Sequence, residues 1–188
     1  MGLKMDWIEL MKEEHKVIKR GLKVIRKICI AILETGKVSY DDFVKMIDFI
    51  RNYADKHHHS KEENILFKKM EEELGEKVKA PLSGMLVEHD LGRLFISNLE
   101  EALKKFKEGD MEARVDIIAN SIGYCDLLNR HIDKEDNAIY NFAKRSLSEA
   151  SLKEIEDRCI ELEDCAGKEN TQNNYIKMLE QLEEKWIK

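Results

Sequence analysis

Hydrophobic residues recur every three or four positions along most of the chain, which is the spacing of the buried face of an α-helix. The first stretch of this kind runs from about Met5 to Leu33, and Gly36 follows it as a helix stop. The second stretch begins at Ser39, a residue type that caps helices, and ends at Gly75. The pattern therefore predicts two long helices in the first half of the chain.

Two more long helices are predicted in the second half. The third begins near Pro81, which suits a first helical turn, and ends before a turn at Gly109 and Asp110. Four long helices with short connections predict an all-α fold, an antiparallel up-and-down four-helix bundle followed by two shorter C-terminal helices. We expect residues 1–147 to form the bundle and 148–188 the extension. The fourth helix is expected to bury Val115, Ile118, Ile122, Cys125, Leu128, Ile139 and Phe142.

The C-terminal extension contains two shorter periodic segments. One is expected to begin at Ser151 and end near Gly167, and the other to run from Asn170 or Thr171 to about Trp186. We expect the last helix to dock on the bundle through an apolar stripe, with a partner protein as the alternative occupant. The stripe consists of Leu179, Leu182 and Trp186.

Each of the four hydrophobic faces is interrupted at one level by polar residues. Two faces carry a lone histidine, and the other two carry His-x-x-x-Glu, whose members stack on one side of a helix. The six residues are His15, His58, Glu62, His89, His131 and Glu135.

The two halves of the chain repeat this pattern. The lone histidine and the His-x-x-x-Glu motif are separated by 43 residues in the first half and by 42 in the second. The segment HHSKEENILF aligns with HIDKEDNAIY, which makes His58 the equivalent of His131. His57 and His59 lie about 100° to either side of His58 on a helix, so we expect them at the rim of the site or behind it.

The six residues together indicate a metal site. A single buried histidine is usually a hydrogen-bonded core residue, but two buried carboxylates without cations would be costly. No Lys or Arg falls on the four faces at this level, although Arg93 lies one turn beyond His89. Two divalent cations would balance the carboxylates. Mixed imidazole and carboxylate ligands favour iron, with manganese second and zinc less suited.

Composition narrows the function further. The net charge of −6 argues against nucleic-acid binding, because contacts with phosphates need a basic surface. The longest apolar run has six residues, 28–33, against the roughly 20 that a bilayer requires, so we expect no membrane partner. The start of the chain lacks the apolar core of a signal peptide, which favours the cytoplasm. The four cysteines lack metal or redox spacing and are expected to be small, largely buried thiols.

The order His…His-x-x-x-Glu…His…His-x-x-x-Glu resembles that of the hemerythrin-like, HHE cation-binding family over about residues 5–145. The resemblance implies a non-haem centre of two iron ions, Fe2+ or Fe3+, with an oxo bridge as one of its forms. It also implies that the four histidines are terminal ligands and that Glu62 and Glu135 bridge the irons. Oxygen carriers of this family have a fifth histidine where this chain has Arg93, so the 4-His/2-Glu set is more similar to the stress-response and iron-sulfur-repair branch.

The resemblance implies a protein that binds O2, peroxide or nitric oxide, with a redox partner or an iron-sulfur protein as client. Gly92 could leave space for such a ligand, and Tyr124 could donate a hydrogen bond to it. An iron store or donor, or a redox or metal sensor, is the alternative, and a bundle without metal is a third hypothesis. Neither reversible binding nor catalytic turnover is singled out by these residues.

Overall fold

The computed structural model describes residues 6–168 and 171–187, and the regular structure of this part of the chain is entirely helical. Three helices are long, namely α1 (Trp7–Thr35), α4 (Glu76–Lys107) and α5 (Ala113–Lys134). Between α1 and α4 lie α2 (Tyr40–Phe49), the π-helical segments π1 (Ile50–His59) and π2 (Glu62–Phe67), and α3 (Lys68–Leu74). After α5 come π3 (Glu135–Ile139), α6 (Tyr140–Ser146), α7 (Glu149–Lys168) and α8 (Thr171–Trp186).

The ends of α1 are set by local chemistry. The Asp6 carboxylate accepts a hydrogen bond from the backbone N–H of Ile8 at the start, and the expected start at Met5 lies outside the described residues. Gly36 ends the helix with φ of 70°, a left-handed conformation that glycine adopts without strain, and its N–H bonds the carbonyl of Ile32. The predicted helix stop at Gly36 is therefore confirmed.

The start of α2 differs from the prediction in its chemistry. The helix begins just after Ser39, but the Ser39 hydroxyl donates to Oδ2 of Asp42 at 2.7 Å and makes no capping bond to the backbone. The same oxygen accepts hydrogen bonds from Lys185 and Trp186 at the C-terminal end of the chain. Asp42 thus serves as an anchor for α8 as well as for the helix start.

The prediction that the third long helix begins near Pro81 is wrong. Helix α4 begins at Glu76, directly after Gly75, and Pro81 lies inside it. A proline in this place removes one hydrogen bond, the one to the carbonyl of Lys77. Both residues are exposed, so water can reach that carbonyl, and the helix continues through the proline.

The register of α5 also differs from the prediction. Val115 is 70% exposed and Phe142 is 38% exposed, whereas both were expected on the buried face. The buried positions at the start of α5 are instead Ala113, Ile117 and Ser121. Hydrophobic residues lie on both sides of this helix, so the predicted face at its start is offset by about one residue, or 100°, whereas Cys125 and Leu128 are buried as predicted.

The helices enclose two apolar cores with a layer of buried polar residues between them. On α1, Met11 belongs to one core and Ile18 to the other, and His15 lies between them. On α4, Met85 and Ile96 flank His89 in the same way. The polar residues therefore occupy one level of the bundle, as the sequence predicts.

The last helix packs on the chain's own core. Leu179 and Leu182 are buried in the core cluster that contains Ile18, and Trp186 packs against it. Arg20 holds Glu183 through two hydrogen bonds of 2.9 and 2.6 Å. These contacts confirm the predicted docking of the apolar stripe. Of the two residues expected to begin this helix, Asn170 lies outside the described residues.

The four cysteines are free thiols, of which Cys165 is exposed and the other three are buried. Burial raises the pKa of Cys125 to about 12, so this thiol stays protonated at neutral pH. Among the described helices, none combines the length and apolar character that crossing a membrane requires.

Candidate metal centre

The structure brings all six predicted residues together in one layer. The two lone histidines come from α1 and α4. In the first His-x-x-x-Glu motif, His58 lies on π1 and Glu62 on π2, and in the second, His131 lies near the end of α5 and Glu135 begins π3. Each side chain is at most 1% exposed, and together they are His15, His58, Glu62, His89, His131 and Glu135.

The four histidines form two pairs whose ring nitrogens face each other. Nε2 of His15 lies 2.8 Å from Nε2 of His58, and Nε2 of His89 lies 2.9 Å from Nε2 of His131. Each pair joins the lone histidine of one half of the chain to the His-x-x-x-Glu histidine of the same half. The two halves therefore build the same arrangement twice, as expected from their nearly equal spacings.

Glu62 lies between the two pairs. Its Oε2 is 3.7 Å from Nε2 of His58 in one pair and 3.5 Å from Nε2 of His89 in the other. Its Oε1 accepts a hydrogen bond of 2.5 Å from the buried hydroxyl of Tyr140, whose ring stacks on His15. One carboxylate oxygen is thus held by the protein, and Oε2 makes no hydrogen bond.

Glu135 occupies the equivalent position on the other side. Its Oε2 lies 3.3 Å from Nε2 of His15, and its Oε1 lies 3.0 Å from Nε2 of His131 and 3.8 Å from Nε2 of His89. The direction of these contacts is unsuited to hydrogen bonds, and neither oxygen has a hydrogen-bond partner. A fully buried carboxylate without such partners is costly unless a cation binds it.

The other ring nitrogen of every histidine in the layer is bound by a carboxylate. This contact fixes the orientation of the ring and leaves Nε2 directed at the centre, the usual arrangement behind metal-binding histidines. The Nδ1–carboxylate pairs are His15–Asp136 at 2.8 Å, His58–Glu14 at 2.7 Å, His89–Glu63 at 2.7 Å and His131–Glu88 at 2.9 Å.

The electrostatics of the layer favour positive charge at its centre. Burial opposes protonation of His15, but the hydrogen bond to Asp136 and the nearby Glu135 outweigh it and raise its pKa to about 9. Burial likewise opposes protonation of His89, whose pKa is raised to about 11 by contacts that include Glu62 and Glu135. A divalent cation would satisfy the same carboxylates and displace these protons.

His59 does not lie at the rim of the site, which was one of the two places expected for it. The residue is 5% exposed and lies inside the layer, with its ring stacked on His89 at a centroid distance of 3.9 Å. It joins Glu62, His89 and His131 in a group whose potential ligand atoms lie within 4.8 Å of one another. The alignment of the two halves indicates only His58, whereas both His58 and His59 of π1 are buried in the structure.

A buried lysine beside the layer was also missed. Lys61 is fully buried and bonds the carboxylates of Glu14 and Glu163, while His57 bonds Glu14 at 3.0 Å. Glu14 in turn holds Nδ1 of His58. His57 therefore lies behind the layer, as expected. The positive charge beside the layer comes from Lys61, which the hydrophobic periodicity places off the buried face.

A cavity of about 90 Å3 adjoins the layer. His59 and His89 of the layer line this cavity, together with residues that include Gly92, Arg93 and Tyr124. The Tyr124 hydroxyl is buried and has no hydrogen-bond partner. Since a water molecule takes up about 30 Å3 of liquid, the cavity has room for a molecule of a few atoms.

Comparison with known proteins identifies one family. A family model described as Hemerythrin HHE cation binding domain matches residues 6–143. No curated protein matches the chain. No solved structure matches it either.

Proposed function

The chain belongs to the hemerythrin HHE cation-binding family, and we propose that it is a non-haem di-iron protein that binds a small ligand such as O2, peroxide or nitric oxide. Its role would be in the response to oxidative or nitrosative stress or in the repair of iron-sulfur clusters. The observation that carries the proposal is the pair of buried carboxylates, Glu62 and Glu135, placed between two pairs of inward-facing imidazoles with three oxygens that lack hydrogen bonds.

The donor set fits two iron ions. Four neutral imidazoles and two carboxylates carry a charge of −2, and two divalent cations would leave a net charge of +2 on the centre. In this proposal His15 and His58 bind one iron, and the other histidine pair binds the second. The two glutamates would bridge them, since each lies within 3.8 Å of nitrogens from both pairs.

The protein's own residues would hold the ligands of this centre in place. The carboxylates on the Nδ1 atoms keep each Nε2 as the coordinating nitrogen and increase its basicity. Tyr140 fixes one oxygen of Glu62 and so orients the other toward the centre. Bound iron would supply a redox-active Lewis acid for a diatomic ligand or peroxide.

The cavity beside His59 and His89 supports ligand binding next to the metals. Its volume suits a molecule of two or three heavy atoms, and a buried Tyr124 hydroxyl without a partner is available to donate a hydrogen bond. An added Cβ at Gly92 would lie 3.5 Å from Tyr124 and Leu128, in ordinary van der Waals contact, so an alanine would fit there and take up space at this wall.

The proposal includes an antiparallel four-helix arrangement for residues 1–147, with residues 148–188 as an extension. The packing of α5 against both α1 and α4 supports it, as does the pairing of each lone histidine with the His-x-x-x-Glu motif of the same half.

The test is spectroscopic. Protein loaded with Fe2+ under anoxic conditions is expected to change its near-ultraviolet and visible absorption when nitric oxide or O2 is added. The variant Tyr124→Phe keeps the ring and removes the hydroxyl, so it should bind the same amount of iron and release the ligand faster. An absorption spectrum that does not respond to either ligand would contradict the proposal.

A second candidate, an iron store or a sensor that signals through the extension, is favoured by one chain of contacts. Glu163 on α7 bonds Lys61, Lys61 bonds Glu14, and Glu14 holds the ring of His58. Movement of α7 would therefore change the support of a proposed ligand. If Glu163→Gln changes the rate of iron release but leaves the response to nitric oxide unaltered, the sensor or store is the better account.

A further inference from the structure

We propose that His59 is a fifth histidine ligand of the centre, so that the two metal ions are held by unequal numbers of imidazoles. The inference rests on the proposed di-iron function and adds a residue to its ligand set. It concerns the position that the six-residue pattern in the sequence leaves out.

The placement of His59 is that of a ligand. Its side chain is buried, its ring is stacked 3.9 Å from that of His89 with an interplanar angle of 10°, and it contacts the ring of His131 edge-on. A ligand atom of His59 lies within 4.8 Å of ligand atoms of Glu62, His89 and His131. These four donors are close enough to surround a single cation once the two stacked rings rotate, because lone pairs in parallel ring planes do not meet at one point.

His59 also has the same support as the other four histidines. Its Nδ1 is bound by Asp55 at 3.3 Å, which leaves Nε2 for a metal. His57, its neighbour on the other side of His58, differs in this respect, because its Nε2 is taken up by Glu14. Among the three consecutive histidines, only His58 and His59 thus combine burial in the layer with a carboxylate on Nδ1.

Arg93 reinforces this support. Its guanidinium donates to Asp55 at 2.9 and 2.7 Å and to Glu63 at 2.6 Å. These two carboxylates are the partners of His59 and His89. A single arginine thereby positions two stacked rings at once.

The internal repeat shows that this feature belongs to one half of the centre. In the aligned segments His59 corresponds to Ile132, so the other pair of histidines gains no third imidazole. The reverse difference occurs on that other side, where Tyr140 stands in the place of Phe67 and contacts Glu62 and His15. One metal would have three imidazoles, and the other would have two with a phenol nearby.

The test counts imidazoles directly. Protein loaded with Co2+ should give proton NMR signals that are strongly shifted by the metal and exchange with solvent, one for the Nδ1–H of each histidine ligand. We expect five such signals in the wild type and four in His59→Phe, which keeps an aromatic ring for stacking on His89. The control His57→Gln retains a donor for Glu14 and should keep five. In a Co2+ titration, His59→Phe should bind one of its two metal ions at least about tenfold more weakly.

Four signals in the wild type, together with an unchanged spectrum in His59→Phe, would overturn the inference. If the protein still binds two Co2+ ions in that case, the di-iron proposal stands. An absence of shifted signals and of bound Co2+ would overturn both. The wild-type count decides the question even if His59→Phe fails to fold.

Discussion

His15 and His58 face each other through their Nε2 atoms at 2.8 Å, and the same contact recurs at 2.9 Å between His89 and His131. In each pair the second histidine comes from the helical segments that follow the helix of the first. The centre is therefore constructed twice from one local sequence pattern. Its two halves share their histidines, glutamates and carboxylate supports, and they differ in what covers them.

Lys61 and its repeat equivalent Lys134 show this difference most clearly. Each bonds the glutamate that holds a histidine, Glu14 or Glu88, but Lys61 is fully buried beneath α7, whereas the side chain of Lys134 is 47% exposed. We expect Lys61→Met to destabilise the fold by about 3–5 kcal/mol, because it leaves the buried Glu14 and the half-buried Glu163 without the lysine that binds both. Chemical denaturation of the metal-free protein measures this.

Lys134→Met is the matched control for this prediction. It removes an ion pair in which solvent replaces the lost contact, so it should cost at most about 1 kcal/mol. Adding Glu163→Gln to Lys61→Met should restore part of the lost stability, since one of the uncompensated charges is then removed. Equal effects of the two lysine variants would contradict the assigned role of α7 as a cover.

Gly92→Ala tests the cavity as a ligand site. The added methyl group would lie 3.5 Å from Leu128 and Tyr124, so it fits without a clash, and alanine favours a helix over glycine by about 1 kcal/mol. We expect unchanged or higher stability together with slower association of nitric oxide, measured by stopped-flow absorption. Gly84→Ala, in open space on the same helix, should leave the association rate unchanged. Equal association rates of nitric oxide in the two variants would mean that the ligand does not enter through the cavity.

Gly21→Ala tests the close packing of α1 against α2. A Cβ at this position would lie 2.7 Å from the ring of Phe49, which is buried and stacked on Tyr53 and so cannot move aside. We expect a loss of about 1–3 kcal/mol in the free energy of unfolding. A gain of stability, as expected for Gly84→Ala, would mean that the two helices separate more easily than their contacts suggest.

Docking of α8 is expected to weaken in acid. Burial works to raise the pKa of Asp42, but Lys185, Ser39 and Trp186 outweigh it and lower the value below that of an ordinary aspartate. A lowered pKa in the folded state means that the stabilisation is present above the ordinary pKa of about 4 and is lost as the pH falls through the folded value.

Asp42→Asn should therefore be less stable than the wild type at pH 7, by about 1–3 kcal/mol, and the difference should shrink toward pH 3. Urea denaturation at both pH values measures this difference in stability. The histidines of the layer are the same in both proteins, so their titration cancels in the comparison. A difference that stays constant with pH would contradict the assigned role of the Asp42 charge in docking α8.

The sequence predicts the level of the polar layer and its six residues well because the two halves of the chain repeat. Residues at equal spacing after equal turns must meet at the same height, and His15, His58 and Glu62 do so. The stop at Gly36 and the docking of Leu179 could be predicted for similar reasons, since each follows from a local rule or from an apolar stripe.

The rest depends on departures from ideal helix geometry and on tertiary contacts. His59 is buried beside His58 in π1, and neither the hydrophobic periodicity nor the repeat indicates that it turns inward. The burial of Lys61 follows from where α7 crosses the bundle, and the register of α5 follows from packing that leaves Val115 exposed. Such features cannot be read from the spacing of hydrophobic residues.

The iron content of the chain tests the central claim most directly. Protein loaded with Fe2+ without oxygen and then freed of loose metal should contain about two iron ions per chain. Replacing His58 with Leu and Glu62 with Met should sharply reduce that number while preserving or increasing stability, because two buried polar groups become apolar. A folded wild-type protein that retains no iron, or a double variant that retains as much as the wild type, would contradict the account.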